Sequence, residues 1–259
     1  MEKTGRPDPL PPVTDWSGEQ VAGGYERLTP SVEWVLGYPF VFRALGLERL
    51  RGGRLLDLGC GPGVVADHVA RRFGVHVVAA DVSPAMLSLA RRRTGPLVEH
   101  HLVTDDQIPG LADASVDRAM CNFVLVCVPE KARILRLFRE VHRLLRPEGR
   151  FAVLNPNPAC IGTPFSTFMI GRKGERYSPG DPLPVRLRQT DGSWLDIVDT
   201  FWPLEVYEEL LAEAGFGEIQ RELPTPDDAH GVADPDLIAG HTWTAEHRIP
   251  PCALLTASL

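Results

Sequence analysis

Two carboxylates and three glycines stand at a spacing that suits a nucleoside. Asp57 is followed by Gly59, Gly61 and Gly63, and Asp81 lies about 20 residues beyond the first glycine. Glycines let the backbone take positive φ and let a ligand come close, since no Cβ intervenes. A helix opening directly after such a loop offers free N–H groups to an anionic group such as a carboxylate. An acid at the end of the following strand can take both hydroxyls of a ribose.

The elements that must position these residues are legible on either side. Leu55, Leu56 and Leu58 form a short apolar run, as expected of a strand buried on both faces of a parallel sheet. Val64, Val65, Val69 and Ala70 then recur at helical spacing, and residues 74–81 read as the next strand. The dinucleotide pattern G-x-G-x-x-G is not met, because Val64 follows Gly63. The longer string Leu55-Leu-Asp-Leu-Gly-Cys-Gly-Pro-Gly63, together with Asp81-Val-Ser-Pro-Ala-Met-Leu87, is far more specific. It resembles the class I S-adenosylmethionine (SAM)-dependent methyltransferase family, small-molecule type, over residues 50–155 and more weakly in the flanks.

That resemblance implies an α/β fold: a Rossmann-like, doubly wound seven-stranded sheet with its last strand antiparallel. It also implies an N-terminal helical cap and, in this chain, an insertion after the fifth strand. Residues 1–18, with Pro7, Pro9, Pro11 and Pro12 and no periodic pattern, read as a flexible tail. Residues 19–50 read as the cap and 51–259 as the SAM-binding domain, with a lid-like insertion at about 159–202. SAM is the implied cofactor and S-adenosylhomocysteine (SAH) the product. Gly59, Gly61 and Gly63 should cradle the methionine part, Asp57 support the loop and the amino group, and Asp81 hold the ribose. Val82 and Met86 should pack on the adenine. In the family's adenine-edge loop, Thr104 stands where an acid is usual and Asp105 follows it, so either can make that contact. Asn122 and Phe123, at the carboxyl end of the fourth strand, are placed against the cofactor by topology as well.

Tyr25 and Tyr38 belong to the aromatic residues of the cap. Tyr25 is assigned to the cofactor and Tyr38 to the acceptor pocket, while Trp34 and Phe42 read as padding at the sheet edge. Asn155 and Asn157 are candidates for the acceptor pocket. The competing reading of Asn155-Pro-Asn-Pro158 is loop punctuation, since amide-directed enzymes carry their Asn/Asp-Pro-Pro motif one strand earlier. Residues 185–198 read as a hairpin turned at Asp191-Gly192, with Val185, Leu187, Leu195 and Ile197 forming an apolar face. Residues 203–214 read as a helix, 216–223 as a strand, 224–247 as irregular and 250–257 as the last strand. His230, His241 and His247 read as surface histidines. Arg91-Arg92-Arg93 closes a helix, where cations complement the dipole.

Whole-chain properties narrow the function classes. With 44% hydrophobic and 24% charged residues, the 259-residue chain can bury a sizeable core. A formal net charge of −7 argues against a broad nucleic-acid footprint. Five cysteines without a C-x-x-C pair argue against a disulfide framework or a zinc knuckle, and no metal ligand set stands out. No apolar stretch is long enough to span a bilayer, and the N-terminus lacks a signal-peptide core, so a cytoplasmic monomer or homodimer is expected.

The favoured function is methyl transfer by in-line displacement to an O, N or C acceptor on a small molecule such as a secondary metabolite. Alignment of donor and acceptor supplies most of the catalysis in such a step, which accounts for the lack of a prominent catalytic dyad. The alternatives are a SAM-binding cyclase or decarboxylase, a protein or RNA methyltransferase, and, disfavoured by the glycine spacing, a nicotinamide-dependent oxidoreductase.

Overall fold

A computed structural model describes residues 12–14 and 32–259, and elements are numbered along these residues. The apolar runs form the centre of a sheet. β1 (Arg54–Leu58), β2 (His76–Asp81), β3 (Val98–Leu102), β4 (Val116–Asn122) and β5 (Leu145–Pro156) pair in parallel. β6 (Phe168–Ile170), β7 (Pro182–Arg188) and β8 (Trp194–Thr200) follow as a separate antiparallel sheet. β9 (Gly217–Glu222) and β10 (Cys252–Ser258) complete the first sheet, whose order is β3-β2-β1-β4-β5-β10-β9. β10 runs antiparallel to both neighbours. Seven strands, the reversed last one and an insertion after the fifth are the architecture that the resemblance implied.

Alternate residues of a strand face opposite layers, and here both layers are apolar. Leu55, Val77 and Ala79 face one core; Leu56, Val78 and Ala80 face the other. The first core is covered by α1 (Glu33–Leu36), α2 (Tyr38–Ala44), α3 (Val64–Phe73) and Leu87 of α4 (Pro84–Arg93). The second is covered by α5 (Lys131–Leu144) and α6 (Leu204–Glu213). α4 begins as its sequence requires, with Pro84 in the first turn and Ser83 Oγ accepting the Met86 N–H at 3.2 Å.

The structure refines the sequence reading in several places. The described part of the cap is helical, as read, in two short helices broken at Gly37, where a Cβ would stand 2.8 Å from the Glu33 carbonyl oxygen. β5 begins at Leu145, directly after α5, because Leu145 already pairs with Val116 before a register shift. A short helix, α7 (Pro235–Gly240), lies in the stretch read as irregular. The hairpin of the insertion is as read: Val185 pairs with Ile197 and Leu187 with Leu195. Gly192, at its tip, donates to the Gln189 carbonyl at 3.0 Å. β6 adds a third strand to it. At the free edge of β8, the Thr14 N–H donates to the Val198 carbonyl at 2.8 Å, and Thr14 Oγ1 accepts the Val198 N–H at 2.8 Å. No described helix is long and apolar enough to cross a membrane.

Candidate active site

β1 and β4 are neighbours although the chain visits β2 and β3 between them. The strand order therefore reverses here, and open α/β sheets bind ligands at such a point, outside the carboxyl ends of the strands. A cavity of about 650 Å³ lies there. The glycine loop, the ends of β2 and β4, α1, the start of α2 and the inner face of the small sheet enclose it. A depression of about 590 Å³ at the opposite end of the strands is polar and holds ion pairs such as Arg54–Glu99. It sits at the amino ends of β1 and β2, away from the switch point.

The glycine loop is shaped by close approach. A Cβ at Gly59, which has φ +77°, would stand 2.1 Å from Val124 Cγ2. At Gly61, with φ +52°, a Cβ would meet no atom within 4 Å, so the inner side of the loop is open to the cavity. Gly63 caps α3 and packs against Ala90 and Thr94; it does not line the cavity. Asp81 ties the loop to the next helix, accepting the N–H groups of Gly61 and Ser83, each at 2.8 Å. Burial raises its pKa, and these backbone donors oppose the shift.

Asp57 is buried at the end of β1, and its Oδ2 has no hydrogen-bond partner among the described residues. Burial, with a smaller contribution from Asp81, pushes its pKa up to about 7. The side-chain amide of Asn122 is likewise buried with neither atom partnered among the described residues. Such orphaned groups beside an open glycine loop fit a ligand that brings donors and acceptors of its own, as SAM does with its amino, carboxylate and ribose groups. Phe123 takes φ +58°, a conformation costly for a bulky residue, and its N–H donates to the Leu154 carbonyl at 2.7 Å. That backbone turn sets its ring edge-on to Tyr38, 6.2 Å away.

Asp57, Gly59, Gly61, Asp81, Val82, Met86, Asn122, Phe123 and Tyr38 are thus brought together around one cavity. Thr104 and Asp105 are exposed and stand just outside it, past Val103, which lines it. Asn155 is buried in β5 with its amide unpartnered among the described residues, and it does not line the cavity. Asn157 holds a turn: its Nδ2 donates to the Pro250 carbonyl at 2.8 Å and its Oδ1 accepts the Ala159 N–H at 3.1 Å. Tyr25 lies outside the described residues.

Sequence reasoning missed several wall residues. Trp34, read as edge padding, lines the cavity and meets Tyr38 edge-on at 4.9 Å, whereas Phe42 is buried against His68 and Phe73. Val13 and Thr14, in the stretch read as a tail, line it too. Arg93 reaches back to the Pro62 carbonyl at 3.1 Å and stands at its rim. Glu33 and Asp199 add two carboxylates, each pushed up to about 7 by burial. None carries a local signal beyond its residue type; each is placed by tertiary packing.

Fold and site together define a class I, Rossmann-like methyltransferase domain. A family model described as a methyltransferase domain matches residues 55–149. The N-demethylindolmycin N-methyltransferase of Streptomyces griseus is 36% identical over 230 residues, covering 87% of this chain and 97% of the relative. A ubiquinone biosynthesis O-methyltransferase of Hahella chejuensis is 32% identical over 182 residues, 65% of this chain and 73% of that one. A SAM-dependent methyltransferase structure from Mesorhizobium loti aligns with a TM-score of 0.58 at 25% identity, covering 89% of this chain and 99% of that one. The CcbJ methyltransferase of Streptomyces caelestis aligns with a TM-score of 0.62 at 18% identity, over 93% and 96% of the two chains, which speaks to the fold alone. The chain belongs to the SAM-dependent methyltransferases and acts on a small-molecule acceptor.

Proposed function

We propose that the chain transfers the methyl group of SAM to a nitrogen of a small molecule with an apolar, aromatic body. The observation that carries the reading is the division of the cavity. One side is the glycine loop with its acids; the other is walled by Trp34, Tyr38, Phe123, Phe168 and the aliphatic face of β7 and β8. Nitrogen as acceptor atom is favoured by the likeness to an N-methyltransferase that extends over nearly the whole chain.

SAM, when bound, supplies a methyl group on a sulfonium, so that transfer is an in-line displacement with a neutral leaving group. The chain's own residues bind and orient. Gly59, Cys60 and Gly61 take the methionine part, with Asp57 toward its amino group; Asp81 takes the ribose. Val82, Met86 and Val103 would enclose the adenine, with Thr104 and Asp105, just beyond Val103, the candidates to read its edge. Tyr38 and Trp34 hold the acceptor ring. The small sheet acts as a lid that keeps water from the acceptor, and water exclusion strengthens each polar contact inside. Incubation with deuteromethyl-SAM and N-demethylindolmycin, followed by mass spectrometry, tests the reading. A heavy-methyl product carrying the label on nitrogen is expected; label on oxygen or carbon, or no product, would contradict it.

A further inference from the structure

Glu33 and Asp199 line the cavity without a part in the account above, and Asp199 is the one carried by the small sheet. Along β8, Leu195, Ile197 and Asp199 share one face, and across β7 they pair with Leu187, Val185 and Leu183. Asp199 is therefore the one carboxylate on an otherwise aliphatic inner face. It is 5% exposed and lines the cavity. Among the described residues its one hydrogen-bonding contact is long, 3.9 Å from Cys127 Sγ, and the same sulfur lies 3.8 Å from the Phe123 carbonyl oxygen. The carboxylate thus stands beside the loop after β4, at the end of the sheet where the reaction is placed. The arginines that line the cavity are engaged elsewhere, Arg93 with Pro62 and Arg133 with Asp106 at 2.6 Å. A carboxylate kept dry without a cation costs stability. A ligand bearing N–H groups would offset that cost.

We propose that Asp199 recognises the acceptor's amine, orienting the nitrogen through its N–H and taking the proton released on methylation. The proposal rests on the N-methyltransferase reading. The nitrogen lone pair forms the new N–C bond while the C–S bond breaks, its electron pair remaining on sulfur. The N–H proton passes to the Asp199 carboxylate and from there to water. Geometry places the group, and its acidity suits a proton acceptor, because burial pushes it up to about 7 against a small opposing effect of Cys127. Cys127 from the loop after β4 and Tyr207 from α6 are the titratable neighbours facing it. A base whose pKa lies near the working pH is the effective one.

The test compares wild type with Asp199→Asn and, as control, Asp196→Asn on the outer face of the same strand, where Asp196 pairs with Arg186 at 2.7 Å. N-demethylindolmycin is the probe, with two readouts: methyl transfer across pH 6 to 9, and calorimetric binding to the protein–SAH complex. Asp199→Asn should lower kcat/KM about 100-fold, flatten its rise through pH 7 and weaken probe binding about tenfold, with SAH affinity unchanged. Asp196→Asn should match wild type. Wild-type transfer with an Asp199→Asn variant of unaltered rate, pH profile or probe affinity would remove this proposal alone. Loss of SAH affinity in Asp199→Asn would make the residue structural and also overturn it. A wild-type protein that neither binds nor methylates the probe would bring down the N-methyl reading, and this proposal with it.

Discussion

Gly61 donates its N–H to Asp81 Oδ2 at 2.8 Å across 20 residues of sequence, so the acid proposed for the ribose also fixes the loop proposed for the methionine part. The two halves of the cofactor site are therefore coupled. Asp81→Asn keeps the shape of the side chain but removes its charge and one acceptor. SAM affinity should fall about 10- to 100-fold, the range of a lost charge-assisted hydrogen bond, and stability should drop by about 1–3 kcal/mol because one backbone N–H then faces a donor. Calorimetric affinity within about threefold of wild type would take Asp81 out of the ribose site.

The carboxylates of Glu33, Asp57 and Asp199 line one cavity, and their desolvation pushes each up to about 7. In an unfolded chain such groups ionise near pH ~4. Across the window from about pH 4 to 7 the folded protein therefore binds more protons than the unfolded chain. Stability falls as pH rises through that window, and the cost is complete above it. The melting temperature of ligand-free protein should decline from pH 5 to 8. Asp57→Asn cannot ionise, so it should flatten the decline and melt a few degrees higher than wild type at pH 8. Parallel curves for the two proteins would show that Asp57 is not protonated in the folded state.

What the sequence made legible is what local pattern encodes. The run Leu55, Leu56, Leu58 and the glycines after it define β1 and its loop because double burial and close approach leave few alternatives. The alternation of Val185 and Leu187 against Leu195 and Ile197 defined the hairpin for the same reason. Asp199 sits two residues beyond Ile197 on that face, yet its place in the cavity depends on how the small sheet docks, through Trp202 Nε1 donating to the Val128 carbonyl at 2.9 Å. Trp34 and Glu33 depend in turn on the break at Gly37. Long-range packing of this kind leaves no periodic trace.

Gly59 faces Val124 so closely that the pair can be tested as a unit. Gly59→Ala adds a Cβ at 2.1 Å from Val124 Cγ2 and an unfavourable positive φ. The two effects together should cost about 2–4 kcal/mol. Val124→Ala removes the clashing methyls and should recover the steric part in the double variant, leaving the backbone cost of about 1–2 kcal/mol. Urea denaturation of the three variants and wild type gives the coupling. Strict additivity would mean that the loop moves away from Val124 at no cost.

Neighbouring acids in the loop after β3 have opposite fates. Asp105 and Asp106 both take positive φ, 53° and 60°, in the tight turn between Thr104 and Gln107. The turn leaves Asp105 exposed and drives Asp106 inward, where it accepts from Arg133 Nε at 2.6 Å and Arg136 Nε at 3.0 Å. Both arginines reach solvent, which screens the pairs, so Asp106→Asn should cost about 1–2 kcal/mol and Asp105→Asn under about 0.5 kcal/mol. Binding should rank differently. If Asp105 reads the adenine edge as proposed, Asp105→Asn should weaken SAM and alter its rank among purine analogues. Asp106→Asn should weaken all analogues alike by loosening the loop. Calorimetry with SAM and a purine-substituted analogue separates the two, and equal behaviour of the variants would deny Asp105 any direct part in reading the base.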